Sequence, residues 1–229
     1  MCEQCGCGGR GVSIELERSL LAANDAQAVR NRAHIEAMGA VAVNLMSSPG
    51  SGKTTLLERT IDVLGEEIPL AVIEGDIETD RDAARIRKKG VPVVQITTGG
   101  ACHLDAPIVH LGLHRLEEEI QGRRPRLLFI ENVGNLVCPA AFALGEHARV
   151  VLLSVPEGSD KPAKYPRAFL GAHAFVITKT DLLPHFDFSM EEALHSALSL
   201  NPALECMAIS SATGDGFGAW ISYLRSLLA

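Results

Sequence analysis

The sequence is poor in aromatic residues and has no long apolar run. Aromatic side chains make up 4% of its 229 residues, while hydrophobic residues in total make up 47%. That fraction is too high for a chain that is disordered throughout, and a mainly aliphatic interior is typical of parallel sheets covered by helices. No apolar stretch approaches the roughly 20 residues that a transmembrane helix requires. We therefore expect one folded domain without membrane association.

Runs of basic residues are also absent. The formal net charge is −7, which argues against nucleic acid or an anionic membrane surface as the main partner. The first residues lack the basic start and apolar stretch of a signal peptide, so we expect a cytoplasmic protein. Because the cytosol keeps thiols reduced, the six cysteines are better interpreted as metal ligands than as disulfide partners.

Short aliphatic segments alternate with segments of helical periodicity along the chain. Apolar side chains at partly helical intervals over residues 14–38 predict a leading helix, behind a flexible metal-binding tail at residues 1–13. The alternation predicts an α/β fold over residues 14–229, with a doubly wound, mostly parallel sheet and helices on both faces. Ligands of such sheets bind at the carboxyl ends of the strands. The predicted strands are residues 40–46, 68–74, 91–96, 126–131, 149–155, 174–178 and 205–210.

The segment SSPGSGKTT, residues 47–55, lies between the first predicted strand and a predicted helix. A Walker A phosphate-binding loop (P-loop) requires this context. Gly50 and Gly52 would let backbone N–H groups curve around phosphate oxygens. Lys53 is the predicted catalytic residue that reaches the β and γ phosphates, and the Thr54 hydroxyl would ligate Mg²⁺.

One position of the loop departs from the motif. Ser47 stands where the first glycine usually is, but serine is small enough to fit there. The motif alone does not separate a GTPase from an ATPase or a kinase, and a glycine-rich turn without a ligand is the simplest alternative. The predicted nucleotide contacts in this loop are Gly50, Ser51, Gly52, Lys53, Thr54 and Thr55.

A second segment indicates which base the nucleotide carries. The sequence TKTD at the end of a predicted strand resembles the N-K-x-D motif, in which the Asp carboxylate accepts two hydrogen bonds from guanine. Asp181 would make these bonds, Lys179 would lie along the base, and Thr178 replaces the usual Asn. Ser211 and Ala212, after the last strand, would add a second guanine contact. The alternative is a surface helix cap with Thr and Asp as local hydrogen-bonding groups.

Two acidic loops at strand ends are candidate switch segments. In EGDIETD, residues 74–80, Asp76 is the predicted catalytic carboxylate, which would hold Mg²⁺ through water or position the attacking water. ENVGN, residues 131–135, resembles the D-x-x-G switch. Glu131 would face Mg²⁺, and Gly134 would sense the γ phosphate through its backbone N–H. The alternative for either acid is a solvated loop charge.

Two cysteines and a histidine lie in the same set of strand-end loops. Cys102 and His103 follow the third predicted strand, and Cys138 lies four residues beyond Gly134. Zn²⁺ and Ni²⁺ both accept two thiolates and an imidazole, and a site shared across a two-fold axis is one arrangement. Cysteines buried as small hydrophobic residues are the alternative. If Gly134 moves with the γ phosphate, Cys138 must follow, so nucleotide state and metal affinity would be linked.

Three further cysteines lie within the first seven residues. Cys2, Cys5 and Cys7 form C-x-x-C-G-C, which is too short for a zinc ribbon. With the amino terminus or a backbone nitrogen as fourth donor, planar N/S coordination would favour Ni²⁺ over tetrahedral Zn²⁺. The pattern predicts a nickel-binding tail, and a leader with incidental thiols is the alternative.

The combination of these motifs resembles the HypB family, the nickel-loading GTPases of nickel-iron hydrogenase maturation. The segments that carry the resemblance are CEQCGCG, SSPGSGKTT, EGD, GGACHLDA and IENVGNLVCPA. The resemblance implies a GTP hydrolase of the dimeric SIMIBI class of P-loop proteins, which uses Mg²⁺, binds Ni²⁺ or Zn²⁺ and delivers nickel. It also implies a HypA-type metallochaperone and a hydrogenase large subunit precursor as partners, and a homodimer that depends on nucleotide or metal.

Many members of that family carry a His-rich segment, which this chain lacks. Its eight histidines form no run, so nickel storage is not predicted. His110 and His114 share a helix face at i, i+4, but solvent-exposed histidines explain that spacing as well. The rival interpretations are a GTPase chaperone for another metalloenzyme such as urease, a small-molecule kinase, and a non-hydrolysing module with structural zinc.

Overall fold

Parallel strands form a sheet at the centre of the molecule. The structure is a computed structural model that describes residues 7–78, 80–120 and 122–229, with side chains from residue 18 onward. Within these residues the strands are β1 Val41–Ser47, β2 Leu70–Asp76, β3 Val93–Thr97, β4 Leu127–Glu131, β5 Ala148–Ser154, β6 Ala174–Thr178 and β7 Glu205–Ala208. They lie in the order β3-β2-β4-β1-β5-β6-β7, and all neighbouring pairs are parallel. Each predicted strand is present within two residues at either end.

Helices cover both faces of this sheet. In the described part of the chain no helix is long and apolar enough to cross a bilayer. Short 3₁₀ helices occupy Pro139–Ala141, Val155–Glu157 and Thr180–His185. The α-helices are α1 Cys7–Ala37, α2 Lys53–Leu64, α3 Arg81–Arg87, α4 Ala106–Glu119, α5 Lys161–Lys164, α6 Pro166–Leu170, α7 Met190–Leu200 and α8 Phe217–Ser226.

The first helix is longer than the sequence predicted. The prediction gave residues 1–13 to a tail and began the helix at residue 14, where the apolar periodicity begins. The structure begins α1 at Cys7, so the second half of the predicted tail is helical. Helix continuation needs only backbone hydrogen bonds, so a helix can extend beyond the part that is amphipathic. Residues 1–6 lie outside the described residues.

The core consists of aliphatic layers on both faces of the sheet. Successive strand residues point to opposite faces, so Leu45 and Phe129 pack with Trp220 of α8 on one face. Ile73 and Ile130 pack against α1 and α4 on the other face. Because both faces are covered, the strands are nearly continuous hydrophobic runs, which is why the sequence predicted them well.

Buried amide side chains fix α1 to the rest of the domain. Asn31 is fully buried, and its Nδ2 donates to the carbonyl oxygens of Ala106 at 2.8 Å and Leu144 at 3.0 Å. Asn24 Nδ2 donates to the Ala143 carbonyl at 2.9 Å, and Asn24 Oδ1 accepts from the Ala106 N–H at 2.8 Å. These bonds hold α1 against the start of α4.

The sheet order brings the loops after β1, β2 and β4 to one place. β4 lies between β1 and β2, so the carboxyl ends of these three strands are adjacent. The register pairs Glu131 of β4 with Leu45 of β1 and with Glu74 of β2. In doubly wound sheets this edge is where ligands bind.

Candidate nucleotide and metal site

The loop after β1 has the backbone shape of a phosphate-binding loop. Gly50 and Gly52 have φ angles of +76° and +92°, in the left-handed region that favours glycine. Gly52 directly precedes α2, so the positive end of the helix dipole lies at this loop. Lys53 Nζ donates to Ser47 Oγ at 3.0 Å. The serine that replaces the motif's first glycine is therefore accommodated, and it holds the predicted catalytic lysine.

Two neighbouring loops brace the phosphate-binding loop. Thr178 Oγ1 donates to the Ser51 carbonyl at 2.7 Å, and Lys179 Nζ donates to the Gly50 carbonyl at 2.7 Å. Ser51 Oγ donates to Glu157 Oε2 at 2.7 Å, which connects the loop after β5. Thr178 thus links the base-reading segment to the P-loop even though it replaces the motif's Asn.

Buried carboxylates lie next to the P-loop threonine. Thr54 Oγ1 donates to Glu131 Oε1 at 2.8 Å. One carboxylate oxygen each of Glu74, Asp82 and Glu131 lies within 4.8 Å of the others. Among the described residues, no hydrogen-bond donor reaches Glu74 Oε2 or Glu131 Oε2, although both atoms are buried. Unpartnered oxygen donors of this kind fit Mg²⁺. Thr54, Glu131 and Glu74 are therefore the residues that would hold that ion.

Glu74 is a site residue that the sequence analysis missed. It lies in the EGDIETD segment, in which the sequence predicts Asp76 as the residue that acts on Mg²⁺ or on the attacking water. Asp76 lines the same cavity, and its Oδ1 accepts from the Glu78 N–H at 2.9 Å. The signal that could have identified Glu74 was an acidic residue directly after the buried aliphatic run LAVI of the same strand. The catalytic role of Asp76 stays a prediction.

A cavity of about 670 Å³ lies over these groups, within the range of roughly 300–1,000 Å³ that is usual for ligand pockets. Arg85 of α3 also lines it, and its Nη2 donates to Thr55 Oγ1 at 3.3 Å while its Nη1 pairs with Asp82 Oδ1 at 3.1 Å. The predicted residues that line the cavity are Gly50, Gly52, Lys53, Thr54, Thr55, Asp76, Glu131, Gly134 and Lys179.

Burial raises the pKa of both buried glutamates. The pKa of Glu74 rises from 4.5 to about 8, first because of burial and then because of the negative charges of Glu131 and Asp76. The pKa of Glu131 rises to about 7, again because of burial, while the Lys53 charge and the Thr54 hydrogen bond oppose the rise. A bound divalent cation would stabilise the ionised forms of both groups.

Replacing Glu74 by Gln is expected to change how stability depends on pH. The folded protein holds the Glu74 proton up to about pH 8, whereas an ordinary glutamate releases it near 4.5. Stability from this group is therefore present below pH 4.5 and is lost as the pH rises toward 8. Glu74→Gln should exceed the wild type in unfolding free energy by roughly 1–4 kcal/mol near pH 8, with a much smaller difference near pH 5.

Urea titrations with EDTA and without nucleotide would measure this difference. Glu118→Gln, which changes an exposed glutamate of α4, is the matched control and should keep the wild-type pH profile. Parallel profiles for Glu74→Gln and the wild type would contradict the prediction.

A buried serine holds the residue predicted to read the base. Ser210 is fully buried, and its Oγ donates to Asp181 Oδ1 at 2.5 Å and accepts from the Thr213 N–H at 3.1 Å. The predicted contacts, Ser211 and Ala212, follow in the same loop with partly and largely exposed side chains. The two consecutive serines were the only signal for Ser210, and the sequence does not say which of them faces inward.

The segment 131–138 contacts the phosphate-binding loop directly. A Cβ atom at Gly134 would come within 2.9 Å of Pro49 Cα and 3.0 Å of its backbone nitrogen. Only glycine allows this approach, so Gly134 is positioned to respond when the P-loop binds phosphate. The position fits the predicted role of Gly134, which stays a prediction.

The same segment also contacts the loop that carries Cys102. Asn135 Nδ2 donates to the Cys102 carbonyl at 3.3 Å. Asn132 is 1% exposed, and its Oδ1 accepts from the Leu104 N–H at 3.1 Å. Neither asparagine was singled out from the sequence, because only the folded chain brings residues 102–104 beside residues 132–135.

The two inner cysteines and the histidine come together within one chain. Cys102 Sγ lies 3.0 Å from Cys138 Sγ and 3.8 Å from His103 Nδ1. The His103 ring stacks on Phe142, with 4.2 Å between ring centroids. Two thiolates on one tetrahedral zinc ion lie about 3.8 Å apart. The two sulfurs would therefore have to move only slightly further apart to admit an ion. Three donors are thus present in one chain, and the predicted sharing across a two-fold axis stays a prediction.

The pKa shifts of Cys138 and His103 are those expected of a site in which a metal ion displaces protons from thiols. The pKa of Cys138 is raised, chiefly by its hydrogen bond with Cys102 and then by burial. The pKa of His103 is lowered, mainly by burial. A neutral imidazole is ready to coordinate, whereas the thiols must release protons, so metal affinity should rise with pH.

The side chains of the three tail cysteines lie outside the part of the chain that the structure describes. Cys2 and Cys5 are outside the described residues, and Cys7 begins α1 with a side chain outside the described part. Nickel binding by Cys2, Cys5 and Cys7 stays a prediction.

Sequence comparison identifies relatives of the whole nucleotide-binding region. Residues 41–208 match the family described as CobW/HypB/UreG, nucleotide-binding domain. The hydrogenase maturation factor HypB of Azotobacter vinelandii is 54% identical over 212 residues, which cover 93% of this chain and 69% of that protein.

Structural comparison agrees with the sequence comparison. The crystal structure of HypB from Helicobacter pylori in complex with nickel has a TM-score of 0.86 and 40% identity, covering 90% of this chain and 94% of that one. The signal recognition particle receptor FtsY of Elizabethkingia anophelis, in complex with GDP, has a TM-score of 0.52 and 14% identity, covering 73% of this chain and 56% of that one. The second likeness concerns the fold alone. The predicted P-loop α/β fold is confirmed.

Proposed function

The chain belongs to the CobW/HypB/UreG family, and we propose that it is a GTPase metallochaperone that delivers nickel into a nickel-iron hydrogenase precursor. One observation carries the proposal. The segment 131–138 contains Gly134, which touches the phosphate-binding loop, and Cys138, which belongs to the thiol–imidazole cluster. A short covalent connection therefore joins the nucleotide site to the metal site.

GTP would lie in the cavity at the strand ends. Lys53 would hold the β and γ phosphates, and Asp181 would accept hydrogen bonds from guanine. Thr54, Glu131 and Glu74 would hold Mg²⁺, which shields phosphate charge when bound. Hydrolysis adds water to the γ phosphorus while the bond to the bridging oxygen breaks, giving GDP and inorganic phosphate. Asp76 is proposed to position that water.

Nickel is the cargo of this cycle. Cys102, His103 and Cys138 would hold the ion between nucleotide states, and the same donors accept Zn²⁺. Because linkage is reciprocal, a nucleotide that changes the affinity for nickel must itself bind with a different affinity when nickel is present.

The proposed partners follow from the metal's route. A HypA-type metallochaperone would exchange nickel with the chain, and the large subunit precursor would receive it. Val137 and Ile77 are 60% and 40% exposed beside the two switch segments. Single exposed apolar side chains do not by themselves mark an interface, so the proposed homodimer, which would depend on the bound nucleotide or metal, rests on the resemblance to the HypB family.

Nickel titration in two nucleotide states tests the proposal. The full chain would carry Cys2→Ser, Cys5→Ser and Cys7→Ser, so that the Cys102–His103–Cys138 cluster is the remaining thiolate site. We expect Kd for nickel to differ by at least about fivefold between the GDP-bound protein and the protein with a non-hydrolysable GTP analogue.

Two further substitutions in that background serve as controls. Cys138→Ser should abolish the inner site, whereas Cys206→Ser, which removes a free thiol on β7, should leave nickel binding unchanged. Equal nickel affinity in both nucleotide states would mean that the chain contains two independent binding sites, and the proposed coupling would be wrong.

A further inference from the structure

A second cluster of metal-binding side chains lies where α1 packs against α4. His34 is in the last turn of α1, and His110 and His114 are one turn apart on α4. One ring nitrogen from each of the three histidines lies within 4.8 Å of the others. The sequence showed the pair on α4, but His34 joins it only because the buried amides of α1 fix the two helices together.

The spacing of the ring nitrogens matches that of ligands on one ion. His110 Nε2 and His114 Nε2 are 3.3 Å apart. Two imidazole nitrogens at about 2.0–2.1 Å from one tetrahedral ion are separated by about 3.3–3.4 Å. The His110 ring meets the rings of His34 and His114 edge to face, at 71° and 77°, whereas the rings of His34 and His114 are tilted by 50° with 5.0 Å between their centroids. None of the three ring pairs is stacked face to face, which leaves the imidazole edges available for a shared ion.

A carboxylate contacts two of the three imidazole rings. Glu117 Oε1 lies 3.1 Å from His34 Nε2, and Glu117 Oε2 lies 3.6 Å from His114 Nδ1. Contact at Nδ1 leaves His114 Nε2 for an ion, and a carboxylate behind a ligating imidazole is a recurring feature of metal sites. The exposed neighbour Glu118 makes no such contact among the described residues.

Hydrogen bonding accounts for only one ring nitrogen of His110, the Nε2 atom that lies 3.3 Å from His114 Nε2. The Nδ1 atom of His110 is buried, and no donor or acceptor among the described residues reaches it. Buried polar atoms usually have such a partner. The ring of His110 is therefore held at the helix interface by packing, with its Nε2 turned toward His114.

We propose that His34, His110 and His114, with Glu117, form a further binding site for a divalent transition metal ion, Ni²⁺ or Zn²⁺. Imidazole nitrogens suit these ions, and this site, unlike the Cys102 cluster, contains no thiolate. Its ligand atoms form a group of their own, distinct from the group of Cys102, His103 and Cys138. It does not depend on nucleotide binding or on the proposed function.

Calorimetric titration with Ni²⁺ and, separately, with Zn²⁺ tests the site. The full chain would carry serine at positions 2, 5, 7, 102 and 138, so that no thiolate cluster competes. We expect one ion to bind per chain, and His110→Gln together with His114→Gln to weaken that binding at least tenfold. His185→Gln together with His195→Gln, which change exposed histidines elsewhere, should leave it unchanged. Equal binding in the two double variants, or no binding in the parent, would overturn the proposal.

A matched pair on α4 separates the carboxylate's contribution from general surface charge. Glu117→Gln should weaken binding by about 10-fold or more, whereas Glu118→Gln should have no effect. If the serine-substituted chain fails to fold, histidine side-chain NMR of the wild-type chain with Zn²⁺ replaces calorimetry. Shifts at His34, His110 and His114 are expected, and shifts confined to His103 would contradict the site.

Discussion

Lys53→Ala is expected to lower the rate of GTP turnover by roughly 10²–10³-fold or more, the loss typical of removing one preorganised group that stabilises transition-state charge. Lys53 is 8% exposed at the start of α2, and its Nζ is held by Ser47 Oγ at 3.0 Å. That position faces the cavity where the phosphates would lie, so alanine leaves the developing negative charge without its nearest cation. Phosphate release under saturating GTP measures the effect.

Two companion variants distinguish lost chemistry from lost structure. Lys88→Ala removes an exposed lysine after α3 and should keep wild-type turnover. Lys53→Arg keeps the charge but not the compact ammonium group, so it should also be slow. Circular dichroism and urea unfolding would verify that all three variants fold. Turnover within a factor of two of the wild type in folded Lys53→Ala would remove the phosphate-binding assignment.

Asp181→Asn is expected to change which base the protein prefers. Asn keeps the shape of the side chain and can still accept from Ser210, but it replaces one acceptor oxygen with an NH₂ donor. Guanine then loses a hydrogen bond to a charged group and meets a donor instead, which should weaken GTP binding by at least about 100-fold. Xanthine has a carbonyl where guanine has its amino group, so XTP should become the preferred nucleotide.

Competition between GTP and XTP for a fluorescent nucleotide would measure the change. Asp187→Asn, an exposed aspartate in the following loop, is the matched control and should keep the preference for GTP. Ser210→Ala should weaken GTP binding less than Asp181→Asn does, because it only releases the carboxylate that Ser210 holds at 2.5 Å. Unchanged GTP affinity in Asp181→Asn would contradict a guanine site.

Most strands were predictable because they are buried on both faces, although the edge strand β7 has only one buried residue. Aliphatic runs such as β5 and β6 are recognisable without knowing their neighbours, and their ends are marked by polar or small residues. The amino-terminal end of α1 was not predictable in the same way. Its first turns lack the apolar periodicity on which the prediction rested, so the start at Cys7 had no signal in the pattern.

The sequence alone predicted the candidate site residues that belong to one short continuous segment. Three segments can be recognised from local sequence, because each motif is short and its spacing fixes the geometry. They are the glycines, lysine and threonine of the P-loop, the TKTD segment and the pair Cys102–His103. The short segment from Gly134 to Cys138 is likewise recognisable from the sequence, since only three residues separate the two.

Only the tertiary structure decided which distant groups join these motifs. Glu74 faces Glu131 because β2 and β4 are register partners, and His34 meets His110 because α1 docks on α4. Both meetings depend on strand pairing and helix packing between residues far apart in sequence. No local pattern encodes such contacts, since they follow from how the whole chain buries its apolar surface.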